Sequence, residues 1–76
     1  MTRNLNEFYG VTVVHAKKIG PRRWRAQAQI FRRDTFAVVE EFFIEGGAMT
    51  SADSRAIDEA ERKVGFLDIP TGWKSR

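Results

Sequence analysis

The side chains of this chain that could do binding chemistry are concentrated between positions 23 and 33, where arginine and glutamine recur at every second residue. Guanidinium groups neutralise phosphate and pair with guanine, carboxamides pair with adenine, and an aromatic ring offers a stacking surface for a base. Arginine and glutamine are equally ordinary on the solvated side of a sheet, where arginine stems cover apolar surface. The polar row consists of Arg23, Arg25, Gln27, Gln29, Phe31 and Arg33, with Arg32 beside it.

The spacing of the polar row requires a β-strand. Its members alternate with Trp24, Ala26, Ala28 and Ile30. A period of two places the two sets on opposite faces of a strand, whereas a helix brings together residues three or four apart. A polar turn and a second apolar stretch, Phe36–Glu45, follow. We therefore predict a β-hairpin, with the Glu40-Glu41 pair as a bulge or edge position in its second strand.

Two further elements flank the hairpin. Phe8–Lys18 is rich in β-branched and aromatic residues and predicts a preceding strand, separated from the hairpin by a Gly20-Pro21 turn. Downstream, Thr50 or Ser51 is predicted to cap a helix that ends at Gly65, with Asp53 in the capping-box position. Apolar residues recur at helical spacing within it, at Ala56, Ile57, Ala60 and Val64, and we expect Phe66, Leu67 and Ile69 to fold back onto the core.

These elements predict an α+β fold of the order β-β-β-α, a three-stranded antiparallel meander with one C-terminal helix packed on one face. We expect a single domain over residues 1–76, with an ordered core at about 8–69 and loose ends at 1–6 and 71–76. Alanines on the central strand and on the helix allow the two layers to approach closely. One helix covers only one side of such a sheet, so the other face is predicted to be open.

The open face is the predicted site. If Ala26 and Ala28 face the helix, the polar row faces away from it, and Val39 and Phe43 join it from the third strand. Lys17, Lys18 and Arg22 would extend it as a basic rim. The aliphatic and aromatic area favours a protein partner or self-association, as in an inhibitor or accessory of a larger complex. The alternative is nucleic-acid binding through the arginines at 23, 25, 32 and 33, with Phe31 stacking on a base.

Charge is distributed unevenly along the chain. Residues 1–33 hold eight basic residues and one acidic residue, residues 34–61 hold eight acidic residues and one basic residue, and the whole chain carries a net charge of +3. Such a field acts on partners and encounter rates rather than on the fold. It is compatible with self-association, because the basic sheet of one molecule could meet the acidic helix of another.

The plan of three strands and a helix resembles that of several small nucleic-acid modules, namely the double-stranded-RNA-binding domain without its first helix and the DNA-reading domains of plant ethylene-response factors and of tyrosine-integrase arms. Trp24-x-Ala26 with its flanking arginines is similar to the second strand of the latter domains. The resemblance covers one strand, and the helix here begins with acidic rather than basic residues. It implies an analogy of architecture and no family membership.

Catalysis, cofactors and metals are not expected. The chain has no cysteine and one histidine, His15, and Gly46-Gly47 lacks the Lys-Ser/Thr of a phosphate-binding loop. Glu40 and Glu41 lie on opposite faces of a strand, and the helix acids at 53, 58, 59 and 61 are interpreted as a solvated face. A domain of two thin layers encloses no small-molecule pocket. With no signal-type or membrane-spanning apolar run and no cysteine, we expect a cytoplasmic protein that does not bind membranes.

Overall fold

The computed structural model describes residues 1–73, which form one antiparallel sheet with a helix packed across one face. The strands are β1 (Thr2–Asn4), β2 (Tyr9–Gly20), β3 (Arg23–Arg32) and β4 (Val38–Gly46), in that order across the sheet, and the helix is α1 (Met49–Val64). The predicted α+β meander with a C-terminal helix is confirmed, with four strands rather than three. The predicted loose tail at 71–76 lies outside the described residues from position 74 onward.

The additional strand is β1, at the chain start that we predicted to be loose. Thr2 pairs with Thr12, and the α-amino group of Met1 donates a hydrogen bond to the carbonyl oxygen of Val13 at 3.0 Å. In return, the Val13 N–H donates to the Met1 carbonyl oxygen at 2.7 Å. The three residues of β1 are all polar and show no apolar–polar alternation. The strand therefore forms because it pairs with the edge of β2, and its own sequence does not predict it. The prediction of a frayed start was therefore wrong.

The core lies between β2, β3 and α1 and is built largely from small residues. Ala26, Ala28 and Ile30 of β3 have no exposed surface, and neither do the helix residues Ala56 and Ala60. This confirms that these β3 residues face the helix and that alanines let the layers approach closely. The core is completed by other buried residues from β2 and α1, among them Val11, Val13, Ile57 and Val64. No helix within residues 1–73 has the length and apolar character needed to cross a bilayer.

Three β-bulges bend the sheet. The β2–β3 register passes from Val14 opposite Gln27 to Lys17 opposite Arg25, so β2 carries one extra residue there, and a second extra residue is Ile19. In β4 the extra residue is Val39, because Val38 pairs with Phe31 and Glu40 with Ile30. The predicted bulge at Glu40-Glu41 thus lies one position earlier. A bulge increases local twist and redirects the side chains around it.

The helix starts earlier than predicted. Its N-cap is Ala48, not Thr50 or Ser51, and the Ser51 side chain instead accepts the Ala48 N–H at 3.4 Å. The entry is tight, because a Cβ atom at Gly46 would lie 2.7 Å from the backbone nitrogen of Ala52. Glycine therefore brings the end of β4 directly against the first turn of the helix. The helix ends at Gly65, as predicted.

The segment after the helix does not return to the core as predicted. Phe66 is 80% exposed and Ile69 63% exposed. The contacts that hold this segment come from other groups: the Tyr9 hydroxyl donates to the Asp68 carbonyl oxygen at 2.7 Å, and the ring of Trp73 meets that of Phe8 edge-on at 5.0 Å. Residues 66, 67 and 69 are apolar, but all three are exposed, so their composition alone did not predict packing onto the core.

Candidate functional site

The face of the sheet opposite α1, called here the open face, carries the polar row of β3. Arg23 and Arg25 are exposed there, and Gln27 and Gln29 are half-buried. Facing residues of an antiparallel pair lie on the same side of the sheet. The register therefore places Thr12 and Val14 of β2 and Glu41, Phe43 and Glu45 of β4 on the open face as well.

Carboxylates of β4 bind the polar row. The Arg23 guanidinium donates to Glu45 Oε1 at 2.9 Å, and Arg25 Nη2 lies 3.7 Å from the other oxygen of the same carboxylate. Further along the same two strands, the side-chain amides of Gln27 and Gln29 donate to the two oxygens of Glu41 at 2.8 and 2.9 Å. The open face is thus a ladder of partnered polar groups rather than a row of free cations.

The ion pair at Glu45 has a testable titration. The hydrogen bond from Arg23 lowers the pKa of the Glu45 carboxyl, and the charges of Arg23 and Arg25 lower that pKa further, against a smaller opposing effect of burial. A depressed pKa means that this carboxylate stabilises the fold at neutral pH and that the stabilisation is lost as pH falls through the folded-state pKa. We expect Arg23→Gln to move the Glu45 pKa upward in a carboxyl-carbon NMR titration, whereas Arg55→Gln on the helix leaves it unchanged. An unmoved Glu45 titration in Arg23→Gln would contradict the pairing.

Phe31 is on the open face but is not available for stacking. It is only 7% exposed, because its ring lies over Gly10 and against Phe36, whose centroid is 5.9 Å away. A Cβ atom at Gly10 would stand 2.5 Å from the ring, so the glycine is what makes room for it. The prediction of a free aromatic platform at Phe31 was wrong.

Arg32 and Arg33 are likewise engaged within the domain. Arg32 makes a two-point contact with Asp34, at 2.7 and 3.0 Å, and this hydrogen bonding lowers the pKa of the Asp34 carboxyl. Arg33 donates to the backbone carbonyl oxygen of Asn6 at 2.8 Å. Both side chains hold loops at one end of the sheet, where the alternative hypothesis of nucleic-acid binding would have them contact phosphate.

An apolar groove opens at the other end of the open face. Val14, Ile19 and Phe43 are 46%, 39% and 58% exposed, and the Arg25 guanidinium lies 5.8 Å from the Phe43 ring centroid. The groove has a volume of about 240 Å³. Its lining residues are Val14, His15, Lys17, Ile19, Arg25, Gln27 and Phe43. We call it the bulge groove, because the two bulges of β2 supply residues to it. Val14 borders one bulge, and Ile19 is the extra residue of the other.

Only part of the bulge groove was predicted from the sequence. Phe43, Arg25, Gln27 and Lys17 were predicted, but Val14, His15 and Ile19 were not, because the bulges of β2 erase the alternation that would have assigned their faces. Val39 does not line the groove, and it is the extra residue of the β4 bulge near the opposite end. The three residues of the predicted basic rim do not lie together, and only Lys17 lines the groove. Lys18 pairs with Trp24 on the helix side, and Arg22 lies in the turn with a left-handed φ of 54°.

Asp53 has a role that we did not predict. Its side chain is buried, accepts the Ala16 N–H at 3.1 Å and lies 3.2 Å from Nδ1 of His15. The interpretation of Asp53 as part of a solvated helix face was wrong. Its carboxylate fastens α1 to the bulge of β2 beside the groove, and His15 is held there as its partner. The helical period was the signal that could have found it, because position 53 lies three, four and seven residues before Ala56, Ile57 and Ala60 and so shares their buried stripe, whereas position 58 does not.

Within residues 1–73, no three His, Cys, Asp or Glu side chains lie close enough together to hold a metal ion. The arrangement is that of a surface, with an apolar groove at one end and a ladder of paired polar groups beside it. Comparison of the chain with protein-family models, with curated proteins and with solved structures gave no match.

Proposed function

We propose that this chain is a small non-enzymatic binding module that contacts protein through the open face of its sheet. The observation that carries the proposal is the exposure of Val14, Ile19 and Phe43 side by side in one groove. Exposed apolar residues scattered singly are normal, whereas a contiguous group rimmed by polar residues is typical of an interaction site. The partner in this proposal is either a second copy of the chain or a larger protein that the module regulates.

Nucleic acid is the less favoured partner because of how the arginines are paired. A phosphate at Arg23 or Arg32 would have to compete with Glu45 or Asp34, and a base at Gln27 or Gln29 would have to displace Glu41. If nucleic acid were nevertheless bound through about four phosphates, affinity would fall roughly a hundredfold between about 50 and 200 mM salt.

Site-specific photo-cross-linking tests the proposal. A benzophenone side chain placed at position 43, in the groove, is expected to form adducts with protein in cells that make this chain naturally. The matched control places the same group at position 55, an exposed arginine on the far side of the helix. The absence of protein adducts at 43, or the same adducts at both positions, would contradict the proposal. Adducts with nucleic acid at 43 alone would favour the alternative partner.

A further inference from the structure

We infer that the bulge groove accepts a partner segment in which one large apolar side chain is flanked by carboxylates. The inference rests on the proposed function and specifies the chemistry of the partner. It follows from the way in which the fold leaves the groove uncovered, from the groove's size and from the charges at its rim.

The groove is produced by the uneven width of the sheet. β1 pairs only with residues 10–12 of β2, so within residues 1–73 the outer edge of β2 has no strand beside it from Val14 onward. The same part of β2 contains both of its bulges, which bring Val14, Lys17 and Ile19 to one depression. Bulges commonly re-aim side chains next to functional sites.

Its size suits a side chain rather than a free ligand. Small-molecule sites usually occupy about 300–1,000 Å³ and enclose most of the ligand. At about 240 Å³ the bulge groove is smaller, and its exposed walls enclose nothing completely. Val14, Ile19 and Phe43 instead provide apolar contacts for one aromatic or large aliphatic anchor, of the kind that dominates the energetics of protein interfaces.

The rim is cationic. Lys17 makes no ion pair among the described residues, and Arg25 is the more distant of the two arginines that share Glu45, at 3.7 Å against 2.9 Å for Arg23. This end of the open face thus carries three cations, Arg23, Arg25 and Lys17, and one carboxylate, Glu45. Glu45 can stay with Arg23 while Lys17 and Arg25 receive carboxylates from a partner. Charge complementarity of this sort gives specificity and speeds association.

Selection from a displayed library of random linear peptides, with the full chain as the immobilised target, tests the inference. We expect enriched peptides to share an aromatic or large aliphatic residue with Asp or Glu within two positions. Synthetic copies should shift the amide signals of Val14, Lys17 and Phe43. Phe43→Ser should weaken their binding by roughly tenfold or more, as expected for an interface anchor, and Lys17→Glu should weaken it several-fold.

Phe66→Ser is the matched control, because Phe66 is an even more exposed phenylalanine that lies outside the groove. It should leave peptide affinity unchanged, and amide spectra establish that each variant is folded. Three results would overturn the inference: no enrichment, a basic or uncharged consensus, or equal binding to Phe43→Ser. If cross-linking at position 43 still captures protein in that case, the proposed function stands and only the partner chemistry is wrong.

Discussion

Replacing Ile30 with alanine is expected to lower the free energy of unfolding by about 3 kcal/mol, within the range of about 2–5 kcal/mol for truncating a buried isoleucine. Ile30 is among the largest fully buried side chains of the domain and lies on the helix-facing side of β3. A domain of this size has a total stability of only roughly 4–11 kcal/mol. The loss should lower Tm by roughly 12–24 °C. Urea unfolding followed by circular dichroism measures it.

The matched control is Ile19→Ala, which removes the same atoms from a residue that is 39% exposed in the bulge groove. We expect this variant to lose less than about 1 kcal/mol, because much of the Ile19 side chain is already in water. Equal losses in the two variants would mean that β3 does not present Ile30 to the helix. In that case the open face would be assigned to the wrong side of the sheet.

The same residues illustrate what could be predicted from the sequence. Trp24, Ala26, Ala28 and Ile30 keep a strict period of two without interruption on the helix-facing side, so the faces of β3 followed directly from spacing. In β2 two extra residues break that period, and Val14 and Ile19 could not be assigned to a face. The spacing of residues predicts the face on which a side chain lies only where strand pairing is regular. The bulge groove lies where the pairing of β2 with β3 is irregular.

Whether a candidate side chain is covered, paired or free depends on contacts between residues that are far apart in the sequence. Phe31 is covered because Gly10, which is 21 positions earlier, leaves space beneath its ring. Arg25 is paired because the hairpin register sets Glu45 directly opposite it. Residue types alone indicated a basic and aromatic face. Only the register, which depends on the turn and on the β4 bulge, turns that face into a ladder of paired groups.

Replacing Asp53 is the second change for which we expect a large effect on stability. Asp53→Ala is expected to lower the free energy of unfolding by about 2 kcal/mol relative to Asp58→Ala, because the Ala16 N–H loses its buried acceptor. Asp58 is exposed on the same helix, and its replacement brings the same gain in helix propensity, of at most about 0.7 kcal/mol, without breaking a buried contact. The difference between the two variants, measured by urea unfolding, therefore isolates the link between α1 and the bulge of β2.

That link also bears on the bulge groove, because the Asp53 carboxylate holds the backbone of Ala16 between Val14 and Lys17. In Asp53→Ala the Ala16 amide should exchange with solvent faster than in Asp58→Ala, by more than the difference in global stability explains. The bulge that positions the groove would then be ordered from the opposite side of the sheet, by a helix residue that a partner in the groove need not touch. Equal stability and equal Ala16 exchange in the two variants would contradict this coupling and leave the groove's shape to the strands alone.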